Sequence, residues 1–424
     1  MNQRHISIPL ILASAGLLIV CGLCALTVYG TYAWFNTNRE NVHLFYSADT
    51  SAQVTEEQTF DAKPKLIIAS DSGSITLIAD DSPDIQVEMT KTGWGADQTE
   101  AETTANSLRV NVEETSAALK LTYRAPEEFG VVMNRSGNNR VDFTIHIPRE
   151  TAVEINSGFG DISLDGLAQS IQITNSLGDI LAKNLQAGKN SVHLETSFGD
   201  TTVDNTEGED LYIGTSNGMI MATNLTATGD LEIENQFGDI HLEGFGASKL
   251  TISSQNGDIE VLDGTLSKEI NVTNAFGEIQ VKNTEAASYR MESQNGKVFV
   301  DGANGSVKIT NSFGDIEITN GKQVTLDVTS QNGVISYSGS LNPEADHQLE
   351  NNFGDITLTL PEDSAFDLNL ETSFGDINSE FPVTLTGALN ESSWQAEMNG
   401  GGHLITANTS NGNISLQILT SGEE

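Results

Sequence analysis

Between residues 151 and 419, apolar and polar positions alternate in short runs, and each pair of runs is broken by a glycine. The breaks fall at Gly160, Gly178, Gly199, Gly218, Gly238, Gly257, Gly277, Gly296, Gly314, Gly333, Gly354, Gly375 and Gly412. The first twelve stand 18 to 21 residues apart, and the last gap is 37. Two residues after the glycine comes an aliphatic side chain, as in Ile162, Ile180, Ile259 and Ile414, with Thr201 as the polar member. Four after it stand Leu164, Val203, Leu242 and Val261. Five and seven before it stand residues such as Ile155 with Val153, Ile173 with Ile171, and Leu194 with Val192. Period-2 alternation marks a half-buried strand, so each repeat holds two short strands with the glycine in the turn between them.

One repeat buries about four aliphatic side chains, too few to offset its ordering entropy. Stacked copies share one continuous core, in which each buried Ile or Val contributes roughly 1.5–3 kcal/mol. The pattern therefore predicts an all-β chain: a single-stranded parallel β-solenoid, or β-helix, with about 19–20 residues per coil. Right-handed winding is the usual hand of parallel crossovers. Twelve or thirteen coils at strand spacing give a rod about 60 Å long.

The turns alternate in type. From Gly199 to Gly354 the preceding residue runs Phe198, Asn217, Phe237, Asn256, Phe276, Asn295, Phe313, Asn332 and Phe353. The repeating unit is thus a pair of coils. Asn-Gly suits positive backbone angles. The Phe rings are expected to pack under the corner of the coil. The rival reading is a ladder for sugars or a partner.

The flanks differ from the repeat. Residues 1–5 read as a cytoplasmic stub. Residues 6–30 read as a transmembrane helix, because Ile6 to Asn38 contain no charged residue or histidine and a span needs about 20 apolar residues. Tyr29, Tyr32, Trp34 and Phe35 suit an interfacial belt, and Arg4 before the span favours the N-terminus inside. A cleaved signal peptide is the weaker reading, since the apolar stretch exceeds a signal core of about 7–15 residues. Lipidation of Cys21 is disfavoured by the branched Val20 before it. Cys21 and Cys24 are the only cysteines, so the rest of the chain holds together without disulfides. Residues 31–62 are polar and aperiodic and read as a stalk. Residues 63–150 carry strand-like runs without regular glycines and read as a β-rich cap. Residues 151–419 form the solenoid, with a capping insertion at about 379–403 that closes the end before the final coil at Gly412. A tail follows at 420–424.

Charge narrows the partners. Twenty Lys and Arg against 59 Asp and Glu give a net charge of −39. That disfavours a sequence-independent nucleic-acid binder and a polybasic contact with anionic lipid, so no nucleic-acid partner is expected. After Lys322 there is no Lys or Arg but fifteen acidic residues, so the C-terminal end is the most anionic.

An acid follows many of the glycines: Asp161, Asp179, Asp200, Asp239, Asp258, Glu278, Asp315, Asp355 and Asp376. A calcium ladder needs 6–8 oxygens per ion. Met219, Lys297 and Val334 interrupt this column, so the acids are expected to bond nearby backbone instead. The histidines (His5, His43, His146, His193, His241, His347, His403) form no metal motif, and His347 falls in an otherwise aliphatic column. No catalytic, cofactor-binding or metal residues are assigned, and no cofactor is expected.

Together these elements resemble the bacterial candidate-adhesin family of β-strand-repeat domains, a family of unknown function. The resemblance rests on Ser157-Gly158-Phe159-Gly160-Asp161-Ile162 and Ser254-Gln255-Asn256-Gly257-Asp258-Ile259. It also rests on Asp71-Ser72-Gly73-Ser74-Ile75, on Ile145-His146-Ile147-Pro148, and on the closing Thr409-Ser410-Asn411-Gly412-Asn413-Ile414. It spans roughly residues 63–419. It implies adhesion, with no catalytic residues to carry over.

The leading expectation is a non-enzymatic surface-binding, adhesin-like or scaffolding module on a single-pass anchor in the cell membrane, with the bulk of the chain extracytoplasmic. Its partner would be a surface polymer, glycan or envelope protein. The alternative is a membrane-bound regulatory or envelope-stress component acting through a partner protein. A polysaccharide-processing enzyme comes third, because no carboxylate pair with a basic partner stands out.

Overall fold

The computed structural model describes residues 50–125, 139–387 and 392–420. It is a parallel β-solenoid. The inward columns read from the sequence are buried throughout: Ile155, Ile162, Ile173, Ile259, Val261 and Ile414 are each at most 1% exposed. One continuous cluster runs from Leu66 to Leu416.

Each coil has two main strands in register with those of the next coil. Ile171–Leu177 pairs in parallel with Ala152–Phe159 on one side and Val192–Phe198 on the other. Ile180–Lys183 pairs likewise with Ile162–Asp165 and Thr201–Gly208. A third short ladder closes the section, for instance Leu225 against Phe245 and Phe245 against Gly264. Its corner falls six residues after the marker glycine, where Asn184, Asn205, Asn224, Asp263, Asn283 and Asn320 take φ between 48° and 55°. Asn and Asp tolerate this left-handed conformation better than other side chains.

The first corner depends on glycine twice over. Gly257 has φ +134°, and a Cβ there would lie 2.2 Å from the Gly238 carbonyl oxygen. The same close approach to a carbonyl oxygen repeats along a column of fourteen glycines that begins with Gly73, and twelve of them, all but Gly375 and Gly412, have φ between 122° and 156°. Backbone angle and coil spacing both forbid a side chain here.

At both ends the chain order departs from the spatial order. Strands Lys65–Ser70 and Ile75–Asp80 pair with the coil of Gly160 and form a regular coil themselves. The solenoid therefore starts well before residue 151, inside what the sequence presents as a cap. The next coil out is Ala118–Tyr123 with Arg140–Pro148. The first coil in sequence is thus the second in space. The other end mirrors this. The last strands, Leu404–Asn411 and Ile414–Ile418, slide between the coils of Gly354 and Gly375. The insertion, expected to precede a terminal coil at Gly412, instead precedes a coil that is internal to the stack. Its strand Ser393–Met398 runs antiparallel along Phe366–Phe374 and covers the outermost coil.

Antiparallel strands also cover the N-terminal end. Asp84–Gly95 lies on Arg140–Pro148, and Thr50–Asp61 lies on Asp84–Gly95. Residues 50–61, expected in the stalk, are therefore a strand of the cap. A helix absent from the sequence reading, Gln98–Ser107, rests on this pair. Asp97 caps it by accepting from the Glu100 N–H at 2.9 Å, and the Glu100 carboxylate accepts from the Ala96 N–H at 2.8 Å. A Cβ on Gly93 would lie 2.1 Å from the Ala105 nitrogen, so glycine sets how closely the helix sits. Among the described residues no helix is long and apolar enough to cross a membrane. The expected span at 6–30 lies outside the described residues, as do the stub, residues 31–49 and the last four of the tail.

His347 takes its aliphatic place at 2% exposure. Its Nδ1 accepts the Leu326 N–H at 3.3 Å and its Nε2 donates to the Asn342 carbonyl at 3.0 Å. A second proton would meet an N–H donor, and burial pushes the imidazole pKa below its usual value.

Two outcomes are expected. Gly257→Ala should cost at least about 3 kcal/mol, from strained φ plus overlap with a fixed carbonyl, read as a lower thermal midpoint. A midpoint within 1 °C of the parent would refute the close approach. The His347 contribution is whole above the unfolded pKa and is lost as pH falls through the window below it, because the unfolded chain takes up the proton first. Urea midpoints between pH 7 and pH 5 should therefore fall more steeply in the parent than in His347→Leu.

Candidate functional site

Stacking the glycines buries their carbonyls in the corner, and buried carbonyls need donors. The donor is the side chain three residues earlier. Asn175 Nδ2 donates to the carbonyls of both Gly160 and Gly178 at 3.0 Å. Asn235 serves Gly218 and Gly238, and Asn311 serves Gly296 and Gly314. One Asn can thus satisfy two coils. The coil between then needs only a small residue, and it carries Ser254, Ser293 or Ser330. This explains the two-coil unit: Asn-x-Phe-Gly alternates with Ser-Gln-Asn-Gly.

The same donors decide where the rings go. Strict alternation would turn the residue before glycine inward, but the inside of the corner is already filled by the Asn, Ser or Thr column. The rings point to solvent. Phe159, Phe198, Phe237, Phe276, Phe313, Phe353 and Phe374 are 49–75% exposed, and Leu177 joins them at 48%. The expected packing under the corner is therefore overturned. In register the column reads Phe237, Asn256, Phe276, Asn295, Phe313, Asn332 and Phe353. The intervening Asn residues are half-buried.

A column of carboxylates borders the rings. Asp161 Oδ1 accepts the Asp179 N–H at 3.0 Å, and Asp179 Oδ1 accepts the Asp200 N–H at 2.8 Å. Asp239, Asp258, Asp315 and Asp355 do the same for the coil above them in the stack. Each acid thus holds the next turn through one oxygen and leaves the other to solvent. Among the described residues no three His, Cys, Asp or Glu gather closely enough to hold a metal ion.

The described histidines are singly placed. His146 pairs with Asp80 at 3.0 Å, His403 with Asp346 at 3.2 Å, and His241 with Glu260 at 2.8 Å. His193 stacks on Tyr212, centroids 4.3 Å apart. Tyr212 lies over Gly214, fills the space a side chain would take, and donates to Glu234 at 3.0 Å. Burial, then Glu234, raise its pKa. Glu195 and Glu234 flank this shallow hollow of about 270 Å³. A larger groove of about 710 Å³ runs past Asp301, Asn320, Gly339 and Pro361 near the C-terminal end.

Two substitutions separate the structural column from the exposed one. Asn311→Leu leaves two buried carbonyls without a donor and should cost about 2 kcal/mol or more. Phe313→Ser should change stability by less than about 0.5 kcal/mol, as for other exposed sites. Equal losses in chemical denaturation would contradict the assignment of inside and outside.

The chain resembles several solved structures. A candidate adhesin from Bacteroides fragilis is 17% identical, with TM-score 0.32, over 68% of this chain and 97% of that one. A candidate cell adhesion protein from Clostridium sporogenes is 10% identical, with TM-score 0.18, over 86% and 100%. A candidate lipid-binding protein from Parabacteroides distasonis is 14% identical, with TM-score 0.29, over 68% and 95%. No curated protein matches the chain. The family model described as Toastrack DUF4097 matches twice, over residues 64–260 and 243–417. The two matches overlap over residues 243–260, most of which lie in the unbroken strand Ile240–Asn256, so one rod carries both. With most of its length matched by that model, the chain belongs to the Toastrack DUF4097 family.

Proposed function

We propose that this chain is a non-enzymatic surface-binding rod, held by its N-terminal apolar segment in the cell membrane with the solenoid outside the cytoplasm. The observation that carries this reading is the exposed aromatic column along one corner. Single exposed apolar residues are ordinary, but seven Phe in one register are not. A rigid face with the same group every second coil suits a long or repetitive ligand, where linked weak contacts raise avidity. The acidic border adds selectivity, because it repels anionic polymers and lipid. The Arg4 side of the apolar segment supports the orientation.

The full chain, purified in mild detergent, should be retained on isolated cell envelopes and release no soluble fragment from them. A reporter fused after Glu424 should work only if it requires the extracytoplasmic side. Failure to bind any envelope fraction, or reporter activity in the cytoplasm, would overturn the reading.

A further inference from the structure

We propose that the glycine corner binds an extended β-1,4-linked amino-sugar glycan laid along the rod. This inference rests on the reading of the chain as a surface-binding rod. Phe237, Phe276, Phe313 and Phe353 recur in every second coil, about 9.6 Å apart by strand spacing, and are 49–55% exposed. In β-1,4-linked chains each sugar is turned over relative to the last. The same face therefore returns at every second sugar, after roughly the advance of two coils. Ring and glycan share a two-step repeat, so alternate sugars can lay their C–H face on successive Phe rings, which offer large apolar area.

The residues between the rings match the sugars between the stacked ones. Asn256, Asn295 and Asn332 lie there, and among the described residues their amides make no hydrogen bond within the chain. An amide both donates and accepts, as hydroxyl-rich ligands require. The carboxylates set the sugar type. Asp239, Asp315 and Asp355 each spend one oxygen on the next coil and turn the other outward. Acceptor-only groups predominate in this column, which Lys297 (paired with Glu317) and Val334 interrupt; they favour a polymer with N–H or ammonium groups over a plain glucose chain, and they repel uronic or sulfated chains. They also disfavour a second copy of this rod, which would bring two acidic columns face to face.

The test uses the full chain in detergent, with partially de-N-acetylated chitin as the probe and cellulose as the β-1,4 control. Retention on the chitin, at least tenfold tighter than on cellulose and weakened by salt, is expected. Changing Phe237, Phe276, Phe313 and Phe353 together to Ser should raise Kd at least tenfold with an unchanged circular dichroism spectrum. A second variant guards against misfolding. Asn413 already holds the Asp376 N–H at 2.9 Å with an amide oxygen, so Asp239→Asn, Asp315→Asn and Asp355→Asn keep the turn. Together they should raise Kd several-fold and flatten the salt dependence. Equal binding by either variant, or equal retention on cellulose, overturns the proposal. Binding to envelopes but not to the chitin defeats this inference alone; loss of both defeats the surface-binding reading as well.

Discussion

The close approach of one coil to the next at the glycine corner governs this molecule. A glycine with positive φ lets the backbone turn while resting against the carbonyl of the glycine below. Any side chain at that point would push the coils apart and break register on both neighbouring strands. The approach in turn buries a row of carbonyls, which must find donors at the same corner. Asn and Thr side chains three residues before the glycines supply them, and the coils between carry a small Ser in the same column. That column occupies the inside, and the residue before glycine is turned out. The exposed aromatic corner is therefore a consequence of how the corner is satisfied.

The ends answer a different problem. A stack of parallel coils leaves an open edge at each end, which invites pairing with other chains. Here each end is covered by antiparallel strands, at one end with a capped helix as well. The coil nearest each terminus is also pinned between two others. The strands of Gly73 lie between the coils that follow them, and the strands of Gly412 between the coils that precede them. Unwinding the coil nearest either terminus then requires its strands to leave two partners rather than one. That raises the cost of local opening at the positions where repeat arrays are ordinarily weakest.

Structure and surface share residues at the glycine corner. The acids after the glycines hold the next turn with one oxygen and present negative charge with the other, so the acidic border comes with the fold. The Phe residues, by contrast, contribute little to the stack, and their alternation follows from the coil type rather than from packing. A rod that is structurally near-uniform thereby acquires one corner with its own spacing, apolar character and charge.

The sequence by itself determined the solenoid, its coil length, its inward columns and the role of the turn acids. Each of these is a local pattern repeated often enough to be read without contacts. It also held signals that went unread: Asn, Asp or Gly six residues after the marker glycine, and Asn or Ser three before it. The capping box of Asp97 and Glu100 was a third, hidden in the polar run Gln98–Ser107. The tertiary structure decided the rest. Coil order at the ends could not be read from spacing, because a strand carries the same alternation whichever neighbours it joins. The outward turn of the Phe rings was likewise invisible, because alternation predicts them inside. Only the stacked coils show that the interior of the corner is already taken by the groups that satisfy the glycine carbonyls.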